Sequence, residues 1–253
     1  MRDIRNITES ALREGRIVLH FQPVYCVAKK NFPIAEVLAR IEERDDLIYP
    51  NDFIGEAEKN GDIIDIGYYV LRKLGETVKN NPELSDLVFA VNVSPQQFME
   101  ADFAKKAIDT IKQSGLKTSS LIFEITGSTD YDLCDVLVEN ANELNDNGVA
   151  ICLEDVGKGV SDLGKINGLP LSYISFDKYY INRIVGDENA QSAVKHLIRF
   201  SNRQGIHTIA EGVETAEQVK MLCKFDSEFL QGFYYSKPLA AEELKKFLEI
   251  HGS

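Results

Sequence analysis

The sequence predicts an α/β fold: a modified TIM (β/α)8 barrel with one antiparallel strand near the N-terminus. Three observations predict it. Short apolar runs alternate with longer amphipathic stretches along the whole chain. Runs buried on both faces and spaced by helices form parallel sheets, and about eight such units in 253 residues fit a closed barrel better than an open sheet. The first two runs are separated only by residues 26–33, too short for a crossover helix, so they pair antiparallel at the start of the barrel.

The strand candidates, in order, are residues 17–24, 34–38, 87–93, 121–125, 149–153, 173–176, 207–210 and 229–235, each rich in β-branched or aromatic side chains. Between most of them lie stretches of helical period: 62–79, 101–114, 134–147, 190–204 and 215–224. No internal repeat, Pro/Gly-rich linker or composition shift divides the chain, so a single domain over 1–253 is expected.

Composition narrows the classes. A hydrophobic share of 44% excludes a disordered chain. No apolar run approaches the ~18 residues of a membrane span, and the first fifteen residues have no apolar signal core, so the chain reads as cytoplasmic with no membrane segment. The four cysteines form no CxxC pair, which points to reduced thiols rather than a disulfide framework or a zinc site. The net charge of −12 argues against a DNA- or RNA-gripping basic surface. An anionic ligand would need a local device: a metal ion, an isolated arginine or a helix N-terminus. His20, His196, His207 and His251 show no metal or nucleophile-base spacing.

Polar residues fall where a barrel builds its active site. Asn92, Glu124, Glu154 with Asp155, Asp177 and Glu211 sit at or just past the C-terminal ends of candidate strands, and Glu36 lies within the second. Any one alone reads as a cap for the next helix. Together they form a ring of hard oxygen donors that would repel one another without a cation, the donor set of magnesium or manganese.

Seven ordered strings carry a family resemblance. They are Gln22-Pro23, Glu36-Val37-Leu38-Ala39-Arg40, Pro50 and Phe53-Ile54 with Ala57-Glu58, Val91-Asn92-Val93-Ser94, Glu124-Ile125-Thr126, the run from Ala210 to Thr215, and the run from Gln231 to Pro238. They resemble the signatures of EAL domains, phosphodiesterases that open cyclic di-GMP to a linear dinucleotide, and the likeness extends over about 12–248. The resemblance implies that Glu36, Asn92, Glu124, Glu154 and Asp155 hold one or two divalent ions, Mg2+ or Mn2+. It implies that Glu211 and Gln231 position water or metal, and that Gln22, Leu38, Arg40 and Asp177 belong to the dinucleotide-holding set. Arg40 can fork two hydrogen bonds onto phosphate. Homodimers and fusion to sensor or cyclase domains are further implications.

Three departures from the family pattern bear on activity. The paired aspartates of D-D-F-G are here Glu154-Asp155-Val156-Gly157, a change that keeps the charge and lengthens the reach by roughly 1.5 Å. The lysine of K-x-D, which orients or activates the hydrolytic water, is Ser175 of Ser175-Phe176-Asp177. Losing such a group costs about 10²–10⁴-fold. Lys178 sits at an odd offset from Ser175, which points it to the opposite face of a strand. The loop at 157–162 lacks the family's aromatic anchors, and Gly127 replaces an acidic residue.

The expectation is an EAL-type domain with hydrolysis abolished or vestigial, acting as a cyclic di-GMP receptor or regulatory module. The alternatives are an active or slow metal-dependent phosphodiesterase giving the linear product, and a protein-interaction scaffold that binds no nucleotide.

Overall fold

The computed structural model describes residues 4–44, 46–126, 133–156, 162–176 and 178–251. Helix α1 (Ile4–Glu14) leads into β1 (Ile17–Cys26) and β2 (Asn31–Glu43), joined by a turn at 27–30. β3 (Asp46–Ile48) folds back on the end of β2, and α2 (Pro50–Asn60) and α3 (Asp62–Asn80) follow. They are divided by Gly61, whose left-handed φ of 87° ends the first helix. The chain then alternates through β4 (Val88–Val93), α4 (Pro95–Phe98), α5 (Phe103–Gln113), β5 (Leu121–Thr126), α6 (Asp135–Asp146), β6 (Ala150–Val156) and α7 (Asp162–Gly168). It finishes through β7 (Tyr173–Phe176), α8 (Lys178–Ile181), α9 (Glu188–Gln204), β8 (His207–Ala210), α10 (Ala216–Lys224), β9 (Phe229–Leu230) and α11 (Ala241–His251).

Eight strands close a barrel in the order β1-β2-β4-β5-β6-β7-β8-β9, with β9 returning to β1. The pairs from β2 round to β9 are parallel. β1 is antiparallel to both neighbours, with Gln22 opposite Glu36, and is therefore the reversed strand the short first connection predicts. β3 lies outside the ring, against the last residues of β2.

Alternation along each strand divides the side chains between helix layer and lumen. Val24, Ile34, Ala90, Ile122, Cys152 and Ile209 make one apolar floor inside the barrel. Two residues further toward the mouth on these strands come Gln22, Glu36, Asn92, Glu124, Glu154 and Glu211. The polar ring is thus the next layer above a dry floor, and its position follows from register alone. Outside the barrel the strands pack on the helices through two larger clusters, one centred on β1 to β5 and the other on β6 to β9.

The last strand is shorter than the expected 229–235. It ends at Leu230 because Gly232 turns the chain at φ 157°, pressing so close to Val213 that an added Cβ would lie 2.1 Å from its carbonyl oxygen. The chain then runs back beside β1, where Phe21 and Leu239 exchange two backbone hydrogen bonds. No helix among the described residues is long and apolar enough to cross a membrane.

Candidate active site

Glu36 is held on both carboxylate oxygens by side-chain amides. Asn92, from the adjacent β4, donates its Nδ2 to Oε1 at 2.8 Å. Gln231, just past β9, donates Nε2 to Oε2 at 2.5 Å and also reaches Gln22 Oε1 at 3.3 Å. Gln22 in turn donates to the Ser236 carbonyl at 3.1 Å. Burial raises the Glu36 carboxyl above its ordinary value, while the two amide donors and Arg40 pull the other way.

Glu124 has no such support. It is 4% exposed, and its Oε2 is buried without a hydrogen-bond partner. Burial and then the negative charges of Glu154, Glu36 and Glu211 push its carboxyl well above the usual range. Carboxylate oxygens of Glu36, Glu124 and Glu154 all lie within 4.8 Å of one another. Three acids at that spacing, one carrying an orphaned buried oxygen, make a donor set that fits a hard divalent cation. Cys152, directly below in the lumen, is fully buried, and desolvation followed by these carboxylates raises its thiol well above 9.0, so it stays protonated.

Asp155 takes a left-handed backbone, φ 57°, at a register shift between β6 and β7. A bulge there breaks strict alternation along the end of β6. Ser175 lies two residues above Tyr173, which packs against the lumen floor. It is fully buried, and its Oγ has no hydrogen-bond partner. Asp177, the loop 157–161 and Gly127 lie outside the described residues.

Beyond Glu36, β2 continues upward and carries Leu38 and Arg40 into the wall of a cavity of about 600 Å³. Arg40 is 5% exposed, donates Nη1 to the Ala39 carbonyl at 2.8 Å, and stacks 4.9 Å from the Tyr49 ring centroid, yet its Nε has no partner. Glu58 and Ser94 line the same cavity and are joined by a 2.7 Å hydrogen bond from Ser94 Oγ to Glu58 Oε1. The structure therefore gathers Gln22, Glu36, Asn92, Glu124, Glu154 and Gln231 at the mouth, with Leu38 and Arg40 beside it. Sequence reasoning gave no role to Tyr49, Glu58 or Ser94. Glu58 and Ser94 do stand in the strings Ala57-Glu58 and Val91-Asn92-Val93-Ser94 that carry the resemblance, and Ser94-Pro95-Gln96-Gln97 is a reciprocal capping box in the structure.

Comparison with known proteins agrees with this architecture. The EAL domain profile matches residues 5–238. The signaling protein YkoW of Bacillus subtilis is 30% identical over 96% of this chain and 30% of its own length. The bifunctional diguanylate cyclase/cyclic di-GMP phosphodiesterase MucR of Pseudomonas aeruginosa is 32% identical over 92% of this chain and 35% of its own. The chain thus spans about a third of these longer relatives. Among solved structures, the MucR phosphodiesterase in complex with c-di-GMP superposes with a TM-score of 0.87 at 30% identity, covering 96% of this chain and all of that one. An EAL domain protein of Listeria monocytogenes shares the fold, with a TM-score of 0.86 at 23% identity over 99% of this chain and all of its own. The chain belongs to the EAL domain family.

Proposed function

We propose that this domain binds cyclic di-GMP in the cytoplasm as a receptor or regulatory module and hydrolyses it vestigially or not at all. The observation that carries the reading is Ser175, buried in the lumen with an unpartnered hydroxyl where the EAL resemblance implies a lysine. A serine brings no cation to offset charge developing on phosphorus, and its reach is far shorter. The electrostatic environment around Glu124 is dominated by other acids.

EAL phosphodiesterases depend on divalent metal, and Glu36, Asn92, Glu124, Glu154 and Asp155 would hold magnesium or manganese here. A bound ion would supply Lewis-acid polarisation of a phosphoryl oxygen and a lowered pKa for water. The chain's own groups do the rest of the binding. Asn92 and Gln231 fix the Glu36 carboxylate. Arg40, whose guanidinium is held by Tyr49 and the Ala39 carbonyl, keeps an unused Nε donor for phosphate. Leu38 and Gln22 flank the ligand, and the family resemblance implies that Glu211 positions water.

A slow phosphodiesterase is the second reading, favoured by the three clustered carboxylates. Calorimetric titration with cyclic di-GMP, with and without magnesium, tests the receptor. Saturable heat at micromolar protein supports it, and no heat in either buffer removes it.

A further inference from the structure

The β7–β8 side of the mouth holds a polar group that the clustered acids on β2, β5 and β6 do not use. Between the paired positions Leu153 with Ile174 and Val156 with Phe176, β6 has two residues, Glu154 and Asp155, where β7 has only Ser175. On its other side Ser175 pairs with Ile209 of β8. Glu211 follows two residues later, its backbone N–H donating to the Phe176 carbonyl at 3.3 Å. Ile174 and Phe176 pack in the outer cluster, so the side chain between them points into the lumen. Ser175 is thus a lumen hydroxyl on the strand between those that carry Glu154 and Glu211. It is fully buried, and Oγ has no hydrogen-bond partner among the described residues, although a hydroxyl can both donate and accept. The charges acting on nearby Glu124, among the described residues, are those of Glu154, Glu36 and Glu211, all negative.

Glu36, Glu124 and Glu154 form the divalent donor set, and neither Ser175 nor Glu211 belongs to it. A divalent ion there offsets at most two of the carboxylate charges of Glu36, Glu124, Glu154 and Glu211. A water beside Ser175 would satisfy the hydroxyl and leave the remaining charge as it is, whereas a cation coordinated by Oγ answers both. A second divalent ion would be repelled by the first, and magnesium sheds its water reluctantly, which ill suits a space closed below by the apolar side chain of Ile209. Potassium exchanges its hydration shell for neutral protein oxygens. We infer that Ser175 Oγ, with carboxylate oxygens of Glu154 and Glu211, forms a site for a monovalent cation, potassium, beside the divalent set. The ion supplies positive charge to an acid-lined mouth that takes an anionic ligand. It has no hydrogen to donate to water, so the site serves binding and leaves hydrolysis impaired.

The test measures melting temperature, with magnesium present throughout, in potassium chloride and in choline chloride at equal ionic strength, for the wild type and Ser175→Ala. Choline matches the charge and is too bulky to enter. In choline, Ser175→Ala should be at least as stable as the wild type, because removing an unsatisfied buried hydroxyl costs little. In potassium the wild type should gain about 2–4 °C, saturably, and Ser175→Ala should gain nothing. Crystals grown with rubidium in place of potassium give the position: an anomalous peak in contact with Ser175 Oγ is expected. Equal melting of the wild type in the two salts would mean an ordered water only and overturn the site. An equal potassium gain in Ser175→Ala, or a rubidium peak away from Ser175, would overturn it as well. Each of these results leaves the dinucleotide reading standing, since no dinucleotide is present in the test.

Discussion

Gln231 reaches past β1 to donate its side-chain amide to Glu36, tying the end of the last barrel strand to the second. The same amide touches Gln22 on β1 at 3.3 Å, so three strand ends are linked through one side chain. The contact orients the acid that opens the cavity wall, and it depends on the turn at Gly232 immediately after it.

That turn gives the first prediction. Gly232→Ala would place a methyl group 2.1–2.7 Å from the Val213 backbone at a φ favourable only to glycine. The expected cost is about 3 kcal/mol or more, because backbone rather than a flexible side chain must move. Urea unfolding measures it, and a change within about 0.5 kcal/mol, the size of an ordinary surface substitution, would show that the close approach of Gly232 to Val213 does not constrain the turn.

A second prediction concerns pH in the absence of metal. The folded carboxyls of Glu36 and Glu124 titrate above their ordinary value of 4.5. Below that value both states are protonated and the stability is fully present. As pH rises, the unfolded chain releases these protons first, so stability falls as pH climbs through the raised folded values. In EDTA the melting temperature should therefore decrease from pH 5 toward pH 8. Glu124→Gln should flatten this slope, and manganese should reverse it. A slope of opposite sign, or one indifferent to Glu124→Gln, contradicts the account in which burial, and for Glu124 also the neighbouring acids, raises these carboxyls.

Arg40 supplies a third. Arg40→Ala removes the one cation that lines the cavity among the described residues and should weaken cyclic di-GMP binding by about 30-fold or more, as truncating a buried charge partner does. Calorimetry reads the effect. An unchanged dissociation constant would remove Arg40 from the ligand set.

The fourth is a gain of function. Ser175→Lys returns an ammonium group to a fully buried lumen position among acids that can pair with it. Hydrolysis of cyclic di-GMP in manganese should rise about 10²-fold or more over wild type. If linear product does not increase, the serine is not the deficit.

Much of this was legible in the chain itself. The barrel followed from alternating periods and one short connection, and the polar ring followed because lumen positions sit two apart on each strand. Glu36, Asn92, Glu124 and Glu154 stand together for that reason. The helices α1, α2 and α11 were not among the expected helical stretches, although α11 carries Leu244, Phe247 and Leu248 at helical spacing. The bulge at Asp155 was also invisible, because a single left-handed aspartate leaves no periodic trace.

The central claim is that the acids at this mouth still bind a cyclic dinucleotide and no longer cut it. The direct measurement is to incubate the protein with excess cyclic di-GMP and manganese, separate the bound fraction, and identify the nucleotide by chromatography. Intact cyclic di-GMP recovered at about one per domain is the predicted result, and linear dinucleotide produced over many turnovers would contradict it.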